Sequence, residues 1–371
     1  MSTFRKLLVL ALCLSLESCH VGRYFYWNLA NISDYKKFPA ECIAASADHF
    51  SFATTDQNLV PDLPASYVSS DKVKDLPSFL QKNHTVAFII IRNDTILYEE
   101  YFRGYDRTSL IASFSVAKVF VSALTGIAIS DGFIKSTSQP VTDFLPELLA
   151  SDPRFGQITL EHLLNMRSGI DFNEGYASPF AAMAKFYYGK NLRRYIRKLK
   201  IEQLPDKEYN YISANTQLLG MAVERASGQT LAELLETKIW KPLGMESDAT
   251  WNTDSRKHQQ IKAFCCINAC ALDFARFGRL YLNNGNWNGH QIVSVDWVKR
   301  SMSIINDSRD SEDYPYTYQW RVKEDGAIFA KGILGQYIYV FPEKNVIIVR
   351  MGTKNSNITW VDFFEQLCRQ L

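Results

Sequence analysis

An excess of charge of either sign is missing from this chain: 41 lysines and arginines stand against 39 aspartates and glutamates, a formal net charge of +2 in 371 residues. No basic stripe stands out, so nucleic-acid binding, which rests on neutralising phosphates, has little support. Neither a G-x-G-x-x-G loop nor a Walker sequence occurs, which removes the usual nucleotide sites. Histidine is scarce, and the six copies (His20, His49, His84, His162, His258, His290) show no H-E-x-x-H or paired spacing. Cys265, Cys266 and Cys270 cluster without a nearby fourth ligand, so they read as buried free thiols rather than a metal site. No metal and no cofactor is expected. Internal repeats and low-complexity stretches are also lacking. What remains is 47% hydrophobic and 13% aromatic, enough for a large core in two lobes.

Residues 1–19 have the layout of an export signal: Arg5-Lys6, then an apolar stretch over residues 7–16 too short to span a bilayer. Leu16-Glu17-Ser18-Cys19 resembles a bacterial lipobox, although Glu17 is unusual there; a plain signal peptide or an uncleaved anchor is the other reading. The expectation is an exported protein, periplasmic or tethered to the membrane through a lipid on Cys19. Export permits disulfides, but the five cysteines beyond Cys13 and Cys19 are an odd number, against a full disulfide framework.

Residues 20–84 read as an irregular, aromatic lead segment on the domain surface. Residues 85–91 and 96–102, joined by Arg92-Asn93-Asp94-Thr95, read as a hairpin, so the sheet is at least partly antiparallel. Residues 337–341 and 346–351 form a second strand pair, and 358–371 a closing helix. Between them, residues 160–166, 180–188, 218–226, 231–239 and 269–282 carry apolar residues at helical spacing. The fold class expected is α+β: a mostly antiparallel sheet flanked by helices, built from residues 85–134 and 255–371, with a helical insertion over 135–254.

Ser115-Val116-Ala117-Lys118 opens the apolar run over residues 119–129. A serine at the start of a buried helix, with lysine one turn on, puts hydroxyl and amine on one face. Unpaired N–H groups and the positive dipole end lie beside them, where an oxyanion can sit. That is the layout of a nucleophilic serine with a lysine partner. The same spacing occurs at Ser33 and Lys36 and at Ser69 and Lys72, but with no apolar helix behind either pair. A serine near a helix start is ordinarily an N-cap, so the spacing alone does not decide.

Further stretches do. His162-Leu163-Leu164-Asn165-Met166-Arg167-Ser168-Gly169, Ile239-Trp240-Lys241-Pro242-Leu243-Gly244-Met245 and Gly335-Gln336-Tyr337-Ile338-Tyr339-Val340-Phe341-Pro342-Glu343 stand in that order. With Ser115-x-x-Lys118 and Tyr211-Ile212-Ser213, the chain after about residue 80 resembles the serine β-lactamase and penicillin-binding-protein superfamily, in its class C branch. The resemblance implies Ser115 as acylated nucleophile, Lys118 as its partner and Tyr211 as the tyrosine that takes the serine proton, with Tyr209 its rival. It also implies an oxyanion hole from the N–H groups of Ser115 and Ile333. Substrate contacts are expected from Ser213, Asn215, Gly332, Trp320 and Tyr187. Asp171 and Glu174 stand between cleft and solvated loop. In water tyrosine and lysine keep their protons at pH 7, with pKa of about 10 and 10.4, so a base here needs the cleft's desolvation and coupling.

Two departures matter. The family's Tyr-x-Asn is Tyr211-Ile212-Ser213, and its Lys-small-Gly strand is Ala330-Lys331-Gly332. A cation moved by one strand position turns to the other face, so the cleft is expected to lack it and to bind carboxylates poorly. This resembles family VIII esterases and 6-aminohexanoate-dimer hydrolases. The function implied is a serine hydrolase that acylates itself with a small-molecule ester or amide. A D-alanyl-D-alanine carboxypeptidase or weak class C β-lactamase is the alternative, and a non-catalytic peptide-binding lipoprotein of the cell envelope the reading from another class.

Overall fold

Thr85–Arg92 and Val346–Gly352 are strongly apolar runs, and they pair antiparallel inside an eight-stranded sheet. The computed structural model describes residues 20–27, 29–55, 61–68, 73–305 and 307–371. The export signal with Cys13 and Cys19, and the pair Ser69 and Lys72, lie outside them. Strand order across the sheet is Tyr316–Thr317, Trp320–Val322, Ile328–Gly332, Gln336–Phe341, Val346–Gly352, Thr85–Arg92, Thr95–Tyr101 and Ala53–Thr54. Neighbours are antiparallel except the last pair, which is parallel. The expected hairpin turns on Asn93 and Asp94, both at positive φ (49° and 57°), the backbone that a tight two-residue turn requires.

Side chains alternate along each strand, which gives the sheet two buried faces. Ala87, Ile89 and Ile91 turn towards the larger core, where Ala271–Leu282 packs on the sheet. Phe88 and Ile90 turn the other way, under Leu76–Lys82 and Trp360–Gln370; there Phe79 stacks on Phe363 at 4.7 Å between ring centroids. Helices on both faces of an antiparallel sheet make the α+β class expected.

The helix Ala117–Ser130 is buried over its first twelve residues and packs against Ser213–Ser227. The latter begins five residues ahead of the expected start at 218, because polar Ser213, Asn215 and Thr216 hide the first turn from an apolar-periodicity reading. A second, four-stranded sheet joins Ala40–Ile43, Ala249–Asn252, Ile267–Ala269 and Ile111–Ala112. The lead segment thus supplies strands and the helix Leu76–Lys82 rather than only a surface wrap. The expected trio of free thiols is also corrected: Cys265 and Cys266 form a disulfide, and Cys270 alone of the three is a buried free thiol.

Candidate active site

Ser115 sits in the 3-10 turn Phe114–Val116 that leads into Ala117–Ser130. The turn is pinned from below by the N–H of Ser113, which donates to the carbonyl of Ile267 at 2.8 Å. Phe114 holds φ of 46°, a region that costs a bulky side chain roughly 1–3 kcal/mol and that surrounding packing must enforce. The Ser115 hydroxyl is not a helix cap: the N-cap position falls to Val116 and carries no side-chain cap bond.

Lys118 is 1% exposed. Its ammonium has three N–H donors and three acceptors: Ser115 Oγ at 3.1 Å, Ser213 Oγ at 3.3 Å and the Phe264 carbonyl at 2.9 Å. The ring of Tyr211 lies 5.0 Å from Nζ on one side, and Arg321, paired with Asp310, lies 5.5 Å from that ring. Tyr211 lines the cleft with Ser115. Tyr209, its rival, has its hydroxyl buried beside Tyr316, where burial pushes the phenol up.

Ser213 does not line the cleft; it lies under Lys118. Its N–H and hydroxyl both donate to Glu174, each at 2.7 Å, and Tyr176 donates to the same carboxylate at 2.8 Å. Glu174, open in sequence between cleft and loop, therefore belongs to the cleft. Asp171 is exposed on Ile170–Asp171, a short strand paired with Lys200–Ile201. On the opposite wall Ile328–Gly332 runs along the nucleophile turn. A Cβ on Gly332 would lie 2.6 Å from the Ser113 carbonyl and 3.2 Å from the Ser115 nitrogen, so glycine permits this approach. Ile333 follows at the mouth of the cleft, facing Ser115.

Two cavities meet at Ser115. One is an open cleft of about 830 Å³ lined by Glu174, Tyr211, Asp310, Glu312, Arg321 and Lys331 among others; the second is an apolar cavity of about 220 Å³. A serine hydroxyl, a buried ammonium, a phenol and a close backbone strand at one cleft mouth can support nucleophilic acyl transfer.

The β-lactamase family profile matches residues 76–359, most of the chain. This chain belongs to the β-lactamase family. It is similar to the 6-aminohexanoate-dimer hydrolase of Paenarthrobacter ureafaciens, 29% identical over 303 residues that cover 76% of each protein. Esterase EstB of Burkholderia gladioli is 27% identical over 222 residues, 54% of each. A solved structure from Bacillus anthracis, provisionally assigned as a 6-aminohexanoate-dimer hydrolase, superposes with a TM-score of 0.82 at 24% identity, covering 93% of this chain and 94% of that one.

Against this β-lactamase-family frame, three further expectations need correction. Asn215 is fully buried and touches no cleft: it accepts from Ser168 Oγ at 2.5 Å and donates to Met166 Sδ, tying its helix to the loop after 160–164. Trp320 is fully buried, tilted against Tyr281 at 4.6 Å between ring centroids and parallel to Phe277 at 6.3 Å, where Ala271–Leu282 meets the sheet. Lys331 faces the cleft, where it pairs with Glu312, while Ala330 enters the core. Alternation does separate the two residues, but the core takes Ala330 because Ala271–Leu282 covers that face. Tyr187 lines the apolar cavity, its hydroxyl donating to Asp34 at 2.7 Å. Sequence reasoning missed Arg321 and Glu312 altogether; a lone arginine between Trp320 and Val322, and a glutamate in a polar loop, gave no signal.

Proposed function

We propose that this β-lactamase-family hydrolase works through an acyl-enzyme on Ser115, using a small ester or amide. The observation that carries the reading is the 3.1 Å contact between Lys118 Nζ and Ser115 Oγ, at the mouth of an open cleft with the Tyr211 ring above it. Ser115 attacks the carbonyl carbon with one member of the Lys118 and Tyr211 pair deprotonated; its proton passes to that member and on to the departing alcohol or amine. Water then releases the acid. The N–H groups of Ser115 and Ile333 hold the oxyanion, a contribution typically worth a factor of about 10²–10³ per donor.

The cleft itself favours substrates without a carboxylate. Its lining holds four carboxylates, Glu174, Asp310, Glu312 and Asp362, against the two cations Arg321 and Lys331, each already paired with one of them. A penicillin or a peptide C-terminus brings a fifth negative charge. That argues against the carboxypeptidase and β-lactamase readings. Residues 5–19 remain our reason for placing the enzyme in the cell envelope.

Purified protein exposed to a fluorophosphonate probe should gain one adduct by intact mass, and Ser115→Ala should gain none. An adduct on the variant moves the nucleophile elsewhere, and no labelling of the native chain favours a binding protein. A panel of p-nitrophenyl esters, nitrocefin and short linear amides then ranks the substrate classes.

A further inference from the structure

The apolar cavity beside Ser115 has a wall that the family's nucleophile motifs do not include. Tyr24, Leu29 and Ala30, from the start of the described chain, close one side of it. The helix His20–Trp27 lies on Ala182–Tyr188, with the Tyr24 and Tyr188 rings edge to face at 5.5 Å and the Arg23 guanidinium donating to the Tyr188 carbonyl. Phe114, Met183, Ala184 and Phe264 line much of the rest, with the amide of Asn355 also among the lining, and Ser115 is shared with the polar cleft. None of the lining residues carries a carboxylate, ammonium or guanidinium group. Two of its phenols are spent on the wall itself, Tyr24 donating to the Tyr176 carbonyl and Tyr187 to Asp34.

We propose that this cavity is the acyl-chain subsite, that it takes an uncharged chain, and that Tyr24, Leu29 and Ala30 are part of it. The inference rests on the acyl-enzyme reading and deepens it. The bond from Ser115 Oγ to the acyl carbon forms as the bond to the alcohol or amine breaks. The serine proton leaves on that alcohol or amine, which departs through the polar cleft, while the chain lies in the apolar cavity. A dry cavity of about 150 Å³ holds a six-carbon ring, so one of about 220 Å³ suits a chain of about six to eight carbons. A charged chain end would lose its hydration there with no charged partner to replace it.

The test is a chain-length series of p-nitrophenyl esters on the full chain, with the 6-aminohexanoyl ester as the charged analogue of hexanoate. kcat/KM should rise about fourfold per methylene from acetate to hexanoate, then flatten beyond octanoate. The 6-aminohexanoyl ester should fall at least tenfold below hexanoate. Ala184→Phe, which fills the cavity, should lower the hexanoate-to-acetate ratio at least tenfold. Leu29→Asp, at a half-exposed rim position where folding is not at stake, should lower it in the same direction. Acetate turnover with a flat series, an equal or better 6-aminohexanoyl ester, or a hexanoate preference that neither variant moves each overturns the subsite alone. Failure of every ester to acylate Ser115 by intact mass overturns the acyl-enzyme reading, and the subsite with it.

Discussion

Glu174 accepts two hydrogen bonds from Ser213, one from its N–H and one from its hydroxyl, both at 2.7 Å. Because that hydroxyl points its proton at Glu174, its lone pairs face Lys118 Nζ at 3.3 Å. Ser213→Ala removes the acceptor and leaves the ammonium freer to turn from Ser115. A hydrogen bond to a charged group is worth roughly 1.5–3 kcal/mol, so kcat should fall about ten- to a hundredfold. Steady-state kinetics should show KM nearly unchanged, since Ser213 does not line the cleft. A rise in KM with kcat preserved would make it a substrate contact instead.

In the proposed mechanism Lys118 and Tyr211 act on Ser115 as one proton-transfer unit. Lys118→Ala and Tyr211→Phe should each lower turnover by orders of magnitude, and the double variant should be little worse than either. Losses that multiply would assign the two residues to separate steps.

The sheet was legible because Thr85–Arg92 and Val346–Gly352 are largely apolar runs between turn residues, broken inside the second only by Arg350. The second sheet was not, since strands as short as Ile111–Ala112 have no periodicity to read. Ser115 and Lys118 sit on adjacent turns, so local spacing reveals them. Glu174 and Ser213 are 39 residues apart and meet only through the folded loop. Trp320 and Asn215 show the converse: residue type suggested the cleft, and packing took both into the core.

Glu224 is half-buried near the end of Ser213–Ser227, accepting from Gln260 at 2.8 Å and from the Leu231 N–H. Burial pushes its carboxyl up to about 7, above the ordinary 4.5. A raised carboxyl pKa means the folded state holds the proton longer than the unfolded one. Its contribution to stability is therefore present below about pH 4.5 and is lost as pH rises through about 7. Glu224→Gln removes that loss, at the expense of one acceptor. Urea melts should show the variant gaining on the native protein between pH 5 and 8, by about 1–3 kcal/mol. A difference independent of pH would mean Glu224 titrates normally.

Glu312 holds Lys331 at the edge of the cleft, and so decides what that cation can do. In the native chain the ammonium is neutralised by a neighbour that itself lines the cleft. A substrate carboxylate approaching Lys331 must displace Glu312 or sit beside it, and either costs Coulomb energy. Neutral esters meet no such cost, so p-nitrophenyl butyrate should be turned over far better than nitrocefin. Glu312→Gln keeps the shape, removes one negative charge and frees the ammonium as a charge-assisted donor. Such a donor is worth roughly 1.5–3 kcal/mol, or about one to two powers of ten. The nitrocefin-to-butyrate ratio of kcat/KM should therefore rise about tenfold or more in the variant, and the gain should shrink in high salt because the cleft is open to solvent. If Glu312→Gln leaves the ratio unchanged, Lys331 does not reach the substrate. If native protein already prefers nitrocefin, the cleft's excess of carboxylates does not govern selectivity, and the β-lactamase reading takes the place of the ester and amide one.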